Sequence, residues 1–158
     1  MIQAGVGGCF NKTFPLGSVV LIQEDAIADL GVVENGQFKS SFDLGLESAD
    51  RFPFKKGGLK NPHSSLLKKS RLQKVRAITV NQVTTNNEMN NLMKEKFDPV
   101  IESLEGAAFH YVGIMEKIPF LQLRAISNYI GERDKKKWEL QEAISNLNNE
   151  LIQLFESL

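Results

Sequence analysis

The stretch Phe120-Leu121-Gln122-Leu123-Arg124-Ala125-Ile126 constrains the fold of this chain more than any other. Pro119 closes the helical pattern before it, and a polar run from Ser127 to Lys137 follows it. A short, mostly apolar run between such punctuators reads as a central strand, covered on both faces. A strand of that kind needs a sheet to sit in and helices to cover it.

The rest of the chain supplies both. Val19-Val20-Leu21-Ile22 and Val75-Arg76-Ala77-Ile78-Thr79-Val80 read as strands, and Val100-Ile101 as the start of a short third one. Ile2 to Gly8 looks like a strand end running into a glycine-rich turn, where positive φ would be needed. Helices are expected from Asn61-Pro62-His63 onward, and from Asn87 to Lys96 with Met89, Leu92 and Met93 on one face. A further helix is expected from Gly106 to Lys117, with Phe109, Val112 and Met115 apolar. The last, from Trp138 to Leu158, carries a stripe of Leu140, Ile144, Leu147, Leu151 and Phe155. Residues 31 to 57 form an excursion of short strands and loops. Strands separated by helices give an α/β fold: three layers, with a mixed, mostly parallel central sheet and flanking helices. The chain of 158 residues reads as one domain. It opens abruptly on a core strand, so further sequence is expected upstream.

Nineteen basic and nineteen acidic residues cancel, which leaves no global field to gather nucleic acid or anionic lipid. No segment reads as a signal peptide or reaches the roughly eighteen apolar residues of a membrane span. A single cysteine, Cys9, rules out an intrachain disulfide, and a cytoplasmic location is expected. Cys9, His63 and His110 lack ligand spacing, so no metal site is expected. Glu102 and Glu105 could be a glycosidase carboxylate pair, but nothing else in the chain points to a polysaccharide.

Two polar clusters remain. Glu102-Ser103-Leu104-Glu105-Gly106-Ala107-Ala108 lies where a helix begins, and Arg124-Ala125-Ile126-Ser127-Asn128 where a strand ends. In open α/β sheets these places border one crevice, where ligands bind. Taken singly, Glu105 is an ordinary helix-start carboxylate and Asn128 an ordinary loop residue bonding its own backbone. Together they suggest a site.

The first cluster resembles the E-[SM]-[ML]-E-[GA]-A-A signature of the nucleoside phosphorylase and nucleosidase family, and the second is similar to its R-A-I-S-[DN] motif. Ala4-Gly5-Val6-Gly7-Gly8 looks like the family's glycine-rich turn, and Leu16-Gly17-Ser18-Val19-Val20 like the strand entry after it, with Gly-Ser in place of the usual Gly-Asp. Within the family, three stretches look like the branch that hydrolyses futalosine in menaquinone biosynthesis. They are Ala28-Asp29-Leu30-Gly31, Val80-Asn81-Gln82-Val83-Thr84, and Ser127-Asn128-Tyr129-Ile130 followed by Arg133 and Trp138. The resemblance implies a phosphorylase/hydrolase-like sheet lacking the family's first strands. Those strands carry the group that activates water or binds phosphate.

The resemblance also implies roles. Breaking a purine N-glycosidic bond builds positive charge on the sugar and negative charge on the base. Glu105 matches the glutamate that accepts from the ribose hydroxyls, Leu104 the apolar residue against the sugar, and Arg124 the arginine near that carboxylate. Trp138 matches an aromatic over the base, with packing of a helix-start tryptophan on the core as an even alternative. Val83, Thr84 and Thr85 would line the other side of the base, and Gly5 and Val6 would let the backbone come close. Asn128 matches the base-binding position that is Asp in adenine-specific nucleosidases. A 6-oxopurine presents two acceptors, O6 and N7, and an amide NH₂ can donate to both. With adenine one bond is left unmade, at a cost on the order of 1–3 kcal/mol, or roughly tenfold to a hundredfold in preference.

The implied partner is a small-molecule purine nucleoside, with no cofactor, and the protein is expected to be a homo-oligomer, a dimer or higher. Three functions are carried forward: hydrolysis of futalosine to hypoxanthine; an alternative on other nucleosides, as a 6-oxopurine phosphorylase or a methylthioadenosine/S-adenosylhomocysteine nucleosidase; and an inactive remnant left with an open hydrophobic sheet edge.

Overall fold

The computed structural model describes residues 1–157. Leu158, which the expected last helix included, lies outside the described residues. The strands are β1 (Ile2–Cys9), β2 (Val19–Ile27), β3 (Gly31–Glu34), β4 (Gln37–Ser40), β5 (Leu59–Lys60), β6 (Lys74–Thr79), β7 (Ile101–Ser103) and β8 (Leu121–Tyr129). The α-helices are α1 (Ser64–Lys69), α2 (Asn87–Phe97), α3 (Gly106–Met115) and α4 (Leu140–Ser157). No described helix is long and apolar enough to cross a membrane.

The central sheet runs β5-β2-β6-β7-β1-β8, and β2 also pairs with β8. It is therefore a ring. β1 lies parallel to β8, and β6 parallel to both β2 and β7. β1–β7, β2–β8 and β2–β5 are antiparallel. One edge of the long β2 is shared, with Val19–Ile22 on β8 and Glu24–Asp25 on β5. This is the expected mixed, mostly parallel α/β sheet, but curvature brings its two sides together. β1 is paired along its whole length with β8 but with β7 only at Gly8 and Cys9, so among the described residues its other edge, from Ile2 to Gly7, has no strand partner, in line with the open edge expected there.

Alternation along the strands explains the layers. Cys9, Val20, Ile22, Val75, Ala77, Ile101 and Ile126 form one buried cluster, drawn from all five ring strands and from no helix. They fill the inside of the ring. Leu21, Leu121, Leu123 and Ala125 point outward and meet Ala143, Leu147 and Leu154 of α4. Each such leucine contributes about 1.5–3 kcal/mol on burial. α2 covers Ile78 and Val80 through Met93, and α3 covers Leu59 and Phe120 through Ala107 and Ile114.

Several expectations need correction. The glycines of β1 make no turn: the strand is continuous from Ile2 to Cys9, and positive φ is found elsewhere, as at Gly17 and Gly131. The central strand continues to Tyr129, so Ser127 and Asn128 are strand residues. Trp138 precedes α4, which starts at Leu140. The buried face of α4 is Ala143, Leu147, Leu151 and Leu154, whereas Leu140, Ile144 and Phe155 are exposed. In α3 the expected apolar face is met only at Phe109, which packs edge-on against Phe120. Val112 and Met115 are exposed, and Gly106, Ala107, His110, Gly113 and Ile114 are buried. Small residues let α3 lie close to the sheet: a Cβ at Gly113 would stand 2.4 Å from the Phe120 ring.

Candidate active site

A cleft of about 420 Å³ opens over the β1–β8 pair, bounded by the start of α3 and by segments 83–84 and 130–138. Gly5, Val6, Val83, Thr84, Leu104, Glu105, Arg124, Asn128 and Trp138 all line it. Thr85 does not; it is exposed, in the segment that leads to α2.

Arg124 reaches the cleft because β1 has no side chain opposite it. It is in register with Gly5, where a Cβ would stand 2.3 Å from the Arg124 Nη1. Gly5 thus makes room for the guanidinium, a different role from the backbone approach expected. Arg124 is 3% exposed and donates to Gln3 Oε1 at 3.0 Å. Its Nη2 lies 3.8 Å from a Glu105 carboxylate oxygen. Burial lowers the arginine's pKa, opposed by the carboxylates of Glu105 and Asp25. Its Nε has no hydrogen-bond partner among the described residues.

Glu105 stands at the N-cap of α3 yet makes no side-chain cap bond. With 65% of its side chain exposed, it is free to accept from a ligand. The helix start is held by other groups. Thr79 Oγ1 accepts from the Ala107 backbone N–H at 2.7 Å and donates to Asp25 at 2.9 Å. Gln122 Nε2 donates to the other Asp25 oxygen at 3.3 Å. A Cβ at Gly106 would stand 2.1 Å from that carboxylate, so glycine is required for α3 to begin there. Burial raises the Asp25 pKa to about 6, against the pull of the Thr79 and Gln122 bonds. His110, fully buried behind them, has its Nδ1 2.9 Å from the Leu59 carbonyl. A carbonyl only accepts, so Nδ1 carries the proton; burial lowers the ring's pKa to about 4 and keeps it neutral.

Asn128 is oriented by its neighbours. Ser127 Oγ donates to its Oδ1 at 2.8 Å, and its Nδ2 donates to the Tyr129 carbonyl at 3.2 Å. Reversing the amide would place two acceptors together at Tyr129, which fixes the NH₂ there and leaves its second hydrogen without a protein partner. Trp138 is half-buried at the mouth of the cleft, its Nε1 donating to the Glu132 carbonyl at 3.2 Å.

Two stretches far apart in sequence meet beside the cleft. The Asp29 carboxylate accepts from Asn81 Nδ2 at 3.0 Å and from the Gln82 N–H at 3.3 Å, so it pins the turn that carries Val83 and Thr84. Sequence reasoning missed three further features: the Asp25–Thr79–Gln122 network, Ser127 as the orienter of Asn128, and Glu102 as a buried cleft residue. Only Glu102 had a visible signal, its place in the same motif as Glu105.

The fold is that of solved nucleosidases. Solved structures with this fold include the futalosine hydrolase of Helicobacter pylori, with a TM-score of 0.78 and 16% identity over 99% of this chain and 67% of that one. The methylthioadenosine/S-adenosylhomocysteine nucleosidase of Colwellia psychrerythraea, solved with adenine, has a TM-score of 0.77 and 19% identity, over 99% of this chain and 66% of that one. By sequence the chain is similar to two curated futalosine hydrolases. It is 28% identical to the futalosine hydrolase of Streptomyces coelicolor over 153 residues, covering 94% of this chain and 62% of the relative. It is 30% identical to that of Thermus thermophilus over 146 residues, covering 90% and 63%. The chain thus spans a little under two thirds of the length of these curated relatives. No family model matches it.

Proposed function

We propose that this chain forms the base and ribose side of a futalosine-hydrolysing nucleosidase, which releases hypoxanthine in menaquinone biosynthesis. The observation that carries this reading is the Asn128 amide. Ser127 and Tyr129 turn it so that a donor hydrogen is left unpaired at a cleft residue, which suits the acceptors of a 6-oxopurine. Glu105 is placed to accept from ribose hydroxyls, and its negative charge favours an oxocarbenium-like sugar. Arg124, 3.8 Å away, places a positive charge beside that carboxylate. Trp138 and Val83 offer apolar surface for the base, and Leu104 for the sugar. The naming of both curated relatives as futalosine hydrolases supports the same choice. The reading carries with it a cytoplasmic homo-oligomer.

Methylthioadenosine/S-adenosylhomocysteine nucleosidase is the second reading, favoured by neighbours such as that of Campylobacter jejuni, with a TM-score of 0.72 and 21% identity. Asn128 argues against it, since adenine places an amino donor where an acceptor is wanted. The test is incubation of the protein with futalosine, methylthioadenosine and inosine in phosphate-free buffer. Hypoxanthine release from futalosine is expected. Release of adenine alone would install the second reading, and turnover of inosine only on addition of phosphate would make the protein a phosphorylase.

A further inference from the structure

Glu102 has no role in the scheme above, yet it is among the most unusual side chains of the cleft. It is 7% exposed, and its carboxyl accepts no hydrogen bond from any described residue. Its oxygens open onto the cleft with no protein donor facing them, so a ligand N–H has an acceptor there.

Its position relative to Asn128 is set by the sheet. Gly8 pairs with Glu102 on β7 and with Asn128 on β8, so the two residues flank it on opposite sides. Strand spacing places their Cα atoms about 9–10 Å apart. Residues paired across a sheet project from the same face. A Cβ at Gly8 would lie 3.5 Å from Asn128 Nδ2 and 2.6 Å from Ile130 Cδ1, which identifies that face as the one carrying the amide. Both side chains line the same cleft. Glycine between them makes room for the Ile130 side chain, which forms the apolar floor of a slot with an acceptor on one wall and a donor on the other.

We propose that Glu102 is a specificity-determining residue: its carboxylate accepts the lactam N1–H of a 6-oxopurine while the Asn128 amide donates to the oxo face of the same base. A lactam presents a donor beside an acceptor, which matches this slot. Adenine presents the reverse, an N1 lone pair beside an amino group, and its N1 would face a carboxylate oxygen lone pair to lone pair. Two independent side chains then reject adenine, where Asn128 alone would leave N1 unread. The inference rests on the reading that a purine occupies the cleft, and it deepens that reading.

Titration calorimetry on the full chain tests it with three probes: hypoxanthine, 1-methylhypoxanthine (which lacks the N1–H) and adenine. Wild-type protein is expected to bind hypoxanthine ten- to a hundredfold more tightly than 1-methylhypoxanthine. Glu102→Leu should lose that preference by weakening hypoxanthine alone. Glu102→Gln, which keeps an acceptor oxygen without the charge, should fall between the two and controls for misfolding. Equal binding of hypoxanthine by wild type and Glu102→Leu would overturn the role of Glu102 and leave the purine reading standing. A folded wild-type protein that binds none of the three would overturn both.

Discussion

The guanidinium of Arg124 lies in the space that a side chain on Gly5 would fill, 2.3 Å from where a Cβ would stand. The two residues are in register on β1 and β8, so the glycine and the arginine act as one unit. Gly5→Ala must displace Arg124 from Gln3 and Glu105. Although alanine is ordinarily favoured over glycine in a strand interior, overpacking here should destabilise the protein by about 1–3 kcal/mol. Urea unfolding of the two proteins measures it, and a neutral or stabilising result would show that the arginine has another place to go.

Asn128→Asp keeps the shape of the side chain and changes its chemistry. One carboxylate oxygen can still accept from Ser127, but the other faces the Tyr129 carbonyl, where an N–H now donates. Two acceptors in contact favour a protonated carboxyl. Hypoxanthine affinity should fall ten- to a hundredfold at pH 8, where the carboxylate cannot donate, and by less at pH 5. Adenine affinity should rise. Binding isotherms at the two pH values check this, and an unchanged preference would remove Asn128 from the base site.

Much of this was legible in the sequence, for identifiable reasons. Strands β2, β6 and β8 announce themselves by short apolar runs, and the Glu105 and Asn128 motifs lie at element ends. The closure of the sheet was not legible, because β2 reaches β8 through its outer edge and pairing partners leave no local mark. The faces of α3 and α4 were misread for a related reason. α3 is apolar nearly all round, so periodicity could not choose a side, and its buried side is the one with glycines and His110. Asp25 reads as a surface carboxylate until the irregularity between Ile22 and Glu24 turns it inward onto Thr79.

Burial and the nearby Asp29 carboxylate raise the Glu102 pKa to about 7 from an ordinary value of 4.5. Between those values the folded protein holds a proton that the unfolded chain has released. The unfolded state binds fewer protons, so this group lowers stability as pH rises through the window. Asp25 acts in the same sense up to about pH 6. His110, lowered to about 4, acts in the opposite sense between 4 and 6.5, since the unfolded chain takes up its proton. The difference between wild type and Glu102→Gln isolates Glu102 from both. The variant should gain stability over wild type by on the order of 1–3 kcal/mol between pH 4.5 and pH 8. Thermal or urea unfolding at the two pH values measures it, and parallel curves would mean that Glu102 titrates normally.

Glu105 separates catalysis from folding. Its side chain is 65% exposed and makes no cap bond, and α3 starts instead on Thr79 and the glycine at 106. Glu105→Ala should therefore change stability by less than about 0.5 kcal/mol, as at other surface positions. If Glu105 stabilises the sugar cation, the same change should lower kcat/KM for futalosine by about 10²–10³-fold, the usual effect of losing one electrostatic group. Arg124→Leu makes the contrast: it removes a guanidinium that is 3% exposed and leaves Asp25 and Glu105 without their nearest cation, so stability and rate should both suffer. Rate assays paired with melting curves distinguish the two variants. A Glu105→Ala protein that melts early but turns over normally would reduce Glu105 to a structural residue at the start of α3.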